Sequence, residues 1–279
     1  MLLNKILIIF IAIIYFSNQN LLACNIEFSS LVTNVKTGEI IDEHNSQKII
    51  YPASLTKLMT IYIALEKIEN NQLELTDKII ISANTEDIAR INKINTSQII
   101  QGQEITVLES IEASIIKSFN EASVALAEKI AENEWNFAKI MNIKAKELGM
   151  NHSHFRNPTG LHDDGQFTTA LDLTKLTLSL NKKFLKYKKY FSKKELLFNG
   201  KKYQSGNKFV LDYEGATGYK TGYTAKAGYN LIAGAKKDDD EVIAVLTGCK
   251  NSETRDEMMK IIIDNAFEKI QNQKNNHLQ

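Results

Sequence analysis

Tyr51-Pro52-Ala53-Ser54-Leu55-Thr56-Lys57 decides how the chain is read, because here an irregular run gives way to a helix with a serine three residues before a lysine. Apolar residues follow at helical spacing at Leu58, Met59, Ile61, Tyr62 and Leu65, and proline sits well at a helix start. Residues three apart share a helix face, with Cβ atoms roughly 5–6 Å apart. A lysine amine so placed can take the proton of a serine hydroxyl, which is a weak nucleophile until an adjacent base activates it. In a first turn the Ser54 N–H points outward, toward any oxyanion that forms there. No Gly-x-Ser-x-Gly elbow occurs in the sequence to offer a histidine-based alternative.

Spacing alone does not select this pair. Ser-x-x-Lys recurs at Ser114/Lys117, Ser179/Lys182 and Ser205/Lys208. The latter two fall in a lysine-rich polar stretch where a solvated face is expected, so the surroundings favour Ser54. Two further motifs lie downstream. Ser118-Phe119-Asn120 falls at the break between two helical patterns, where a hydroxyl and an amide can enter a cleft. Helix capping is the commoner use of such residues, and Ser-x-Asn recurs at Ser82, Ser179 and Ser205. Lys220-Thr221-Gly222 lies in Gly218-Tyr219-Lys220-Thr221-Gly222-Tyr223-Thr224, which alternates as an edge strand whose glycines leave the backbone accessible. Its lysine and hydroxyl suit a carboxylate. The rival Lys36-Thr37-Gly38 sits at a hairpin turn and precedes the serine.

With 279 residues, 43% of them hydrophobic, and a net charge of +1, the chain can bury a core and carries no signature of disorder or nucleic-acid binding. Lys5, the apolar run Ile6 to Phe16, a polar stretch and Leu21-Leu22-Ala23 predict an export signal peptide over residues 1–23. About 11 apolar residues are too few for a membrane span. Cleavage after Ala23 and lipid attachment at Cys24 both remain open, and the latter would associate the protein with a membrane through its N-terminus. Cys249, the one other cysteine, can pair with Cys24 in an oxidising compartment or serve as a small buried apolar residue. His152 and His154 lack a carboxylate at ligand spacing, so neither a metal nor a cofactor is expected.

Short strands are predicted at Ser29 to Val35 and Glu39 to Glu43, then helices at 54–69, 107–117, 121–131, 136–148 and 170–180. Residues 157–167 read as loop, and the nine lysines between Lys182 and Lys202 as a solvated face. Strands return at 229–236 and 241–248, and a helix closes over 254–270. The two ends of the chain are thus expected to share one antiparallel sheet, in an α/β (α+β) fold whose sheet is flanked by helices and joined to an all-helical lobe. Residues 24–274 would form one domain of two lobes and 275–279 a polar tail.

Ser-x-x-Lys, Ser-x-Asn and Lys-Thr-Gly in this order are shared by class A β-lactamases and penicillin-binding proteins. The chain resembles the D-alanyl-D-alanine carboxypeptidases of serine peptidase family S11, the low-molecular-mass penicillin-binding proteins. The resemblance runs from about Phe28 to Ile270 and extends to Lys144-Ala145-Lys146-Glu147-Leu148-Gly149-Met150, Asn157-Pro158-Thr159-Gly160-Leu161 and Ala227-Gly228-Tyr229. It implies a β-lactamase/transpeptidase-like fold, with Ser54 as nucleophile, Lys57 as general base, lowered in pKa by burial and by the charge of Lys220, and Ser118 as a proton relay. It further implies that Asn120, Lys220, Thr221, Gly222 and Tyr223 bind substrate, with the N–H groups of Ser54 and Tyr223 as the oxyanion hole. Peptidoglycan stem peptides ending in D-Ala-D-Ala would be the substrate and β-lactams covalent inhibitors, in the bacterial periplasm or at the outer face of the cytoplasmic membrane. Phe119 departs from the family's usual glycine and Leu171 from its usual arginine, and the β-rich C-terminal domain of many relatives has no counterpart in this sequence. A class A-like β-lactamase would need a loop glutamate, where Asp163 and Asp164 are the only acids between Asn151 and Gln166. An inactive wall-binding or penicillin-sensing protein is the third reading.

Overall fold

A computed structural model describes residues 24–91 and 96–277; the expected signal peptide lies outside the described residues. Five strands, β1 (Cys24–Asn34), β2 (Ile40–His44), β7 (Ala216–Thr224), β8 (Gly228–Lys237) and β9 (Asp240–Cys249), form an antiparallel sheet in the order β2-β1-β9-β8-β7. β1 pairs with β9, Val32 opposite Ala244, so the two ends of the chain do share one sheet. β7 is an edge strand, as its glycines predicted.

Alternation along the strands splits the core in two. Val32, Leu231, Ala233, Val242, Ala244 and Leu246 pack on Met258, Met259, Ile263 and Phe267 of the closing helix α8 (Ser252–His277). Leu31, Ile232, Ile243 and Val245 face the other way, into the cluster built by the helical lobe. That lobe contains α1 (Lys57–Glu69), α2 (Ala83–Ile91), α3 (Val107–Ile116), α4 (Asn120–Ala131), α5 (Glu134–Glu147) and α6 (Ala170–Lys183), with the small hairpin β3 (Lys78–Ile80) and β4 (Glu104–Thr106). Every residue of α1 from Lys57 to Leu65 is buried. A helix apolar on all sides belongs in a core, and this one carries Lys57 with it.

Several expectations are corrected. α8 runs on to His277, through part of the stretch expected to be a polar tail. The lysine-rich segment is more than a solvated face. After the 3₁₀ turn Leu185–Tyr190 it forms the hairpin β5 (Glu195–Phe198) and β6 (Lys201–Gln204), followed by the short α7 (Lys208–Asp212), and it buries Leu196 and Phe198. Asn199 and Gly200, both at positive φ, make its tight turn. Lys183, Lys186 and Lys193 reach Glu66, Glu69 and Glu112 at 2.5, 2.6 and 2.5 Å, and Lys188 pairs with Glu241. Leu171 packs half-buried against the helical core instead of supporting a charge pair.

Gly160 shows how closely the loop after α5 is pressed against the serine. A Cβ there, at φ +83°, would lie 1.8 Å from the Ala53 carbonyl oxygen, whereas one at Gly38, at φ +74°, meets nothing within 4 Å. Gly38→Ala therefore carries backbone strain alone, about 1 kcal/mol. Gly160→Ala adds a backbone collision and should lower the unfolding temperature at least twice as far. Equal shifts in thermal melts of the two variants would contradict the close contact.

Candidate active site

Ser54 lies in a single 3₁₀ turn, Ala53–Thr56, and the α-helix begins only at Lys57. The expected helix start at Ser54 is thus corrected, and the difference matters. In a 3₁₀ turn side chains at i and i+3 eclipse, which aligns Ser54 with Lys57 and leaves Lys57 Nζ 3.1 Å from Ser54 Oγ. The Leu55 N–H is taken by the Pro52 carbonyl at 3.2 Å, while the Ser54 N–H has no acceptor among the described residues.

Lys57 is fully buried. Its amine, in contact with Ser54 Oγ, donates to Asn120 Oδ1 at 2.7 Å and to the Thr159 carbonyl at 2.6 Å. Those two partners, both carbonyl oxygens, accept only. A neutral amine has two N–H groups and one lone pair, so the carbonyls consume both hydrogens and the lone pair is left for the Ser54 hydroxyl. Burial lowers the Lys57 pKa to about 7, against an opposing pull from the negative charge of Glu121. Glu121, in the first turn of α4, is itself buried, with Oε1 accepting from the backbone N–H and hydroxyl of Ser97 at 2.6 and 2.8 Å.

Ser118 sits at the break between α3 and α4, with the unusual φ of +61°, a conformation disfavoured for residues with a side chain. Its hydroxyl accepts from Lys220 Nζ at 2.8 Å, and Lys220 also donates to the Thr221 carbonyl at 2.8 Å. The Lys220 pKa is depressed well below its ordinary value, first by burial, then by the charges of Lys57 and Arg255. The like-charge effect expected on Lys57 thus falls on Lys220. Phe119 points away from the cleft: its ring is buried against Phe198 and Tyr203, centroids 5.8 and 5.3 Å distant.

β7 supplies the remaining wall. A Cβ on Gly222 would come within 3.1 Å of the backbone nitrogens of both Ser54 and Leu55, so the strand backbone abuts the 3₁₀ turn. The Thr224 carbonyl accepts from Ala227 N–H inside the β7–β8 turn at 3.1 Å. Backbone groups of successive residues alternate sides along a strand, which turns the N–H of Tyr223 to the open edge. The structure therefore brings Ser54, Lys57, Ser118, Asn120, Lys220, Gly222 and Tyr223 to one seam between the lobes, with Thr221 on the same strand.

The competing motifs are occupied elsewhere: the Ser114 hydroxyl lies 2.8 Å from that of Ser123, Ser179 bonds Tyr62, Ser205 caps Asn207, and Gly38 completes its turn. Three contributors had no role in the sequence reading. Asn157 Oδ1 accepts from Thr159 N–H, Thr159 Oγ1 and Gly160 N–H at 3.2, 2.9 and 2.8 Å, folding the turn that presents the Thr159 carbonyl to Lys57. Thr60 Oγ1 ties the same turn to α1 through the Pro158 carbonyl at 2.7 Å. Glu121 adds a buried charge. Asn157-Pro158-Thr159-Gly160 is a turn signature, but nothing local says which side chain the turn serves.

Residues 23–251 match the D-alanyl-D-alanine carboxypeptidase family, peptidase S11. The chain belongs to that family. Among its relatives, D-alanyl-D-alanine carboxypeptidase DacF of Bacillus subtilis is 35% identical over 251 residues, covering 86% of this chain and 61% of the relative. DacC of Escherichia coli is 30% identical, covering 81% and 57%; the chain thus spans about three fifths of these relatives' length. Penicillin-binding protein 5 of Haemophilus influenzae superposes with a TM-score of 0.82 at 28% identity, covering 86% of this chain and 70% of that one. Penicillin-binding protein D2 of Listeria monocytogenes, solved in an ampicillin-bound form, gives 0.78 at 28% identity, covering 88% and 97%. The β-lactamase/transpeptidase-like fold implied by the sequence is the fold observed.

If Lys57 serves as the base for Ser54 it must be neutral to accept a proton, so the rate at which Ser54 is acylated should rise with pH to a plateau, with its midpoint near the Lys57 value of about 7. Glu121→Gln removes a charge that favours the ammonium, and its midpoint should move to lower pH. An unmoved or raised midpoint in the acylation profile would show that Glu121 does not act on Lys57.

Proposed function

We propose that the protein is an exported serine-type D-Ala-D-Ala carboxypeptidase that removes the terminal D-alanine from peptidoglycan stem peptides through an acyl-enzyme on Ser54. The observation that carries this reading is the bonding of Lys57, whose two carbonyl acceptors leave its lone pair to the serine. The substrate lies antiparallel to the open edge of β7, extending the sheet, with its terminal carboxylate at Lys220 and Thr221. A bound carboxylate returns Lys220 to its charged form, since an opposite charge favours the protonated amine. Ser54 Oγ attacks the carbonyl carbon as its proton passes to Lys57 Nζ. The N–H groups of Ser54 and Tyr223 receive the oxyanion, the Asn120 amide binds the peptide, and the C–N bond breaks as Ser118 delivers a proton to the leaving nitrogen. The proton on Lys57 passes to Ser118, replacing the one given to D-alanine. Water then attacks the ester, Lys57 again taking a proton and returning it to Ser54 Oγ as the serine is released. β-Lactams acylate the same oxygen and leave slowly.

The disulfide at Cys249 supports an oxidising, extracytoplasmic location. Cys24, the only other cysteine, stands opposite it in the β1–β9 register. A thioether-linked lipid would consume a sulfur that such a bond needs, which argues against a lipid anchor. Among the described residues no helix is long and apolar enough to cross a membrane. Against the β-lactamase reading, Asp163 bonds the Gly165 N–H within its own turn at 2.8 Å and Asp164 pairs with His162 at 3.1 Å, neither supplying a glutamate-like base for deacylation. The intact contacts of Lys57 argue against an inactive sensor.

A peptide ending in D-Ala-D-Ala should release free D-alanine, with Ser54→Ala and Lys57→Ala each slowing it at least about a thousandfold. Benzylpenicillin should leave a long-lived adduct on Ser54, seen by intact-protein mass spectrometry. Undiminished release by Ser54→Ala would overturn the mechanism, and rapid repeated penicillin turnover would favour the β-lactamase.

A further inference from the structure

Ser118 holds a backbone conformation that its own chemistry does not favour, so its surroundings must impose it. Lys117 closes α3 as its C-cap, and a left-handed residue just after a C-cap is usually glycine. Here it is Ser118, at φ +61°. Such a conformation persists only where neighbouring structure over-determines it. The Ser118 oxygen accepts from Lys220 Nζ at 2.8 Å, which leaves the hydroxyl hydrogen free to point into the cleft.

The constraint comes from the β5–β6 hairpin. Phe119 is fully buried, with its ring 5.8 Å from that of Phe198 and 5.3 Å from that of Tyr203. Leu196 stands opposite Tyr203 in the hairpin, and residues two apart along a strand point the same way, so Leu196, Phe198 and Tyr203 make one apolar face. That hairpin is itself fastened to α3. Gly206 N–H donates to the Ile116 carbonyl at 2.9 Å, and Lys193 pairs with Glu112 at 2.5 Å. The chain thus enters Ser118 from a helix end tied to the hairpin and leaves it through a ring seated in the same hairpin. Phe119 N–H adds a bond back to the Ala113 carbonyl at 3.3 Å. The backbone between these ties has little freedom to relax to negative φ. Resting on the reading of Ser118 as proton donor to the leaving nitrogen, we propose that Phe119 is a positioning residue for that step: its ring, gripped by Phe198 and Tyr203, keeps Ser118 in the left-handed conformation that aims its hydroxyl at the cleft. The hairpin thereby acts on the reaction from behind.

The test uses two substrates with the same acyl group, Nα,Nε-diacetyl-L-lysyl-D-alanine, joined to D-alanine by an amide in one and to D-lactate by an ester in the other. Both acylate Ser54. Breaking the C–N bond needs a proton on the nitrogen, whereas the alkoxide of D-lactate is a far weaker base than an amide anion and leaves with less help. A positioned general acid contributes on the order of 10²–10⁴ in rate, so Phe119→Ala should lower kcat/KM for the amide at least about tenfold more than for the ester. The amide-to-ester ratio, taken on one sample, does not depend on how much of that sample is folded. Tyr203→Ala, which removes one wall of the ring's pocket, should move the ratio in the same direction, and Phe119→Leu, which keeps apolar bulk there, should restore much of it. Ser118→Ala gives the full effect. A ratio unchanged in Phe119→Ala, or in Tyr203→Ala if the former does not fold, while Ser118→Ala lowers it, overturns the positioning role and leaves the proton donor standing. A ratio unmoved by Ser118→Ala removes both.

Discussion

A lysine amine sealed away from water is the constraint on which the rest of the structure depends. Holding Lys57 at a pKa of about 7 instead of 10.5 reflects a burial penalty on the ammonium on the order of 5 kcal/mol. The fold imposes that penalty by setting the lysine at the start of α1, a helix buried along its first nine residues. It then directs the neutral amine with two acceptors from separate parts of the chain, Asn120 from α4 and the carbonyl of Thr159 from the loop after α5. The lone pair has one direction left, and Ser54 lies in it.

The same need for close approach explains the small residues around the serine. Gly160 lets its loop rest on Ala53, and Gly222 lets β7 rest on the nitrogens of Ser54 and Leu55. The 3₁₀ turn is therefore clamped between a loop of the helical lobe and the edge of the sheet, and neither side chain of the pair needs to search for the other. The second amine follows a related logic. Lys220 is buried and repelled by Lys57 and Arg255, so it gains most from a ligand that brings a negative charge, and it grips Ser118 until one arrives. On the proposed reading two buried lysines divide the work: one stays uncharged to accept a proton, the other becomes charged to hold an anion.

Much of this was legible in the sequence, for identifiable reasons. The long periodic segments gave their helices, the alternating runs at both ends gave the central strands, and the ordered motifs gave the site through family resemblance. Where the reading failed, the signal was short or non-local. The three-residue strands β3 and β4 carry too few side chains to show a period. The β5–β6 hairpin was hidden by its lysines, although Asn199-Gly200 is a recognisable tight-turn dipeptide. The 3₁₀ turn at Ser54 is a difference of one hydrogen-bond step that composition does not encode. The service of Asn157 and Thr159 to Lys57 spans about a hundred residues and exists only in the folded chain. The rotation of Phe119 away from the cleft depends on that same unrecognised hairpin, which provides the pocket for its ring.

The central claim is that Lys57 is an uncharged amine at neutral pH, and it is tested most directly by titrating that amine. Lysine labelled with carbon-13 at Cε reports the protonation of each side chain by its chemical shift, and Lys57→Ala identifies the resonance. A midpoint near 7 for Lys57, well apart from the surface lysines, is the predicted result. A midpoint near 10, alongside the surface lysines, would mean that the amine is an ordinary ammonium and that Ser54 is not activated as described.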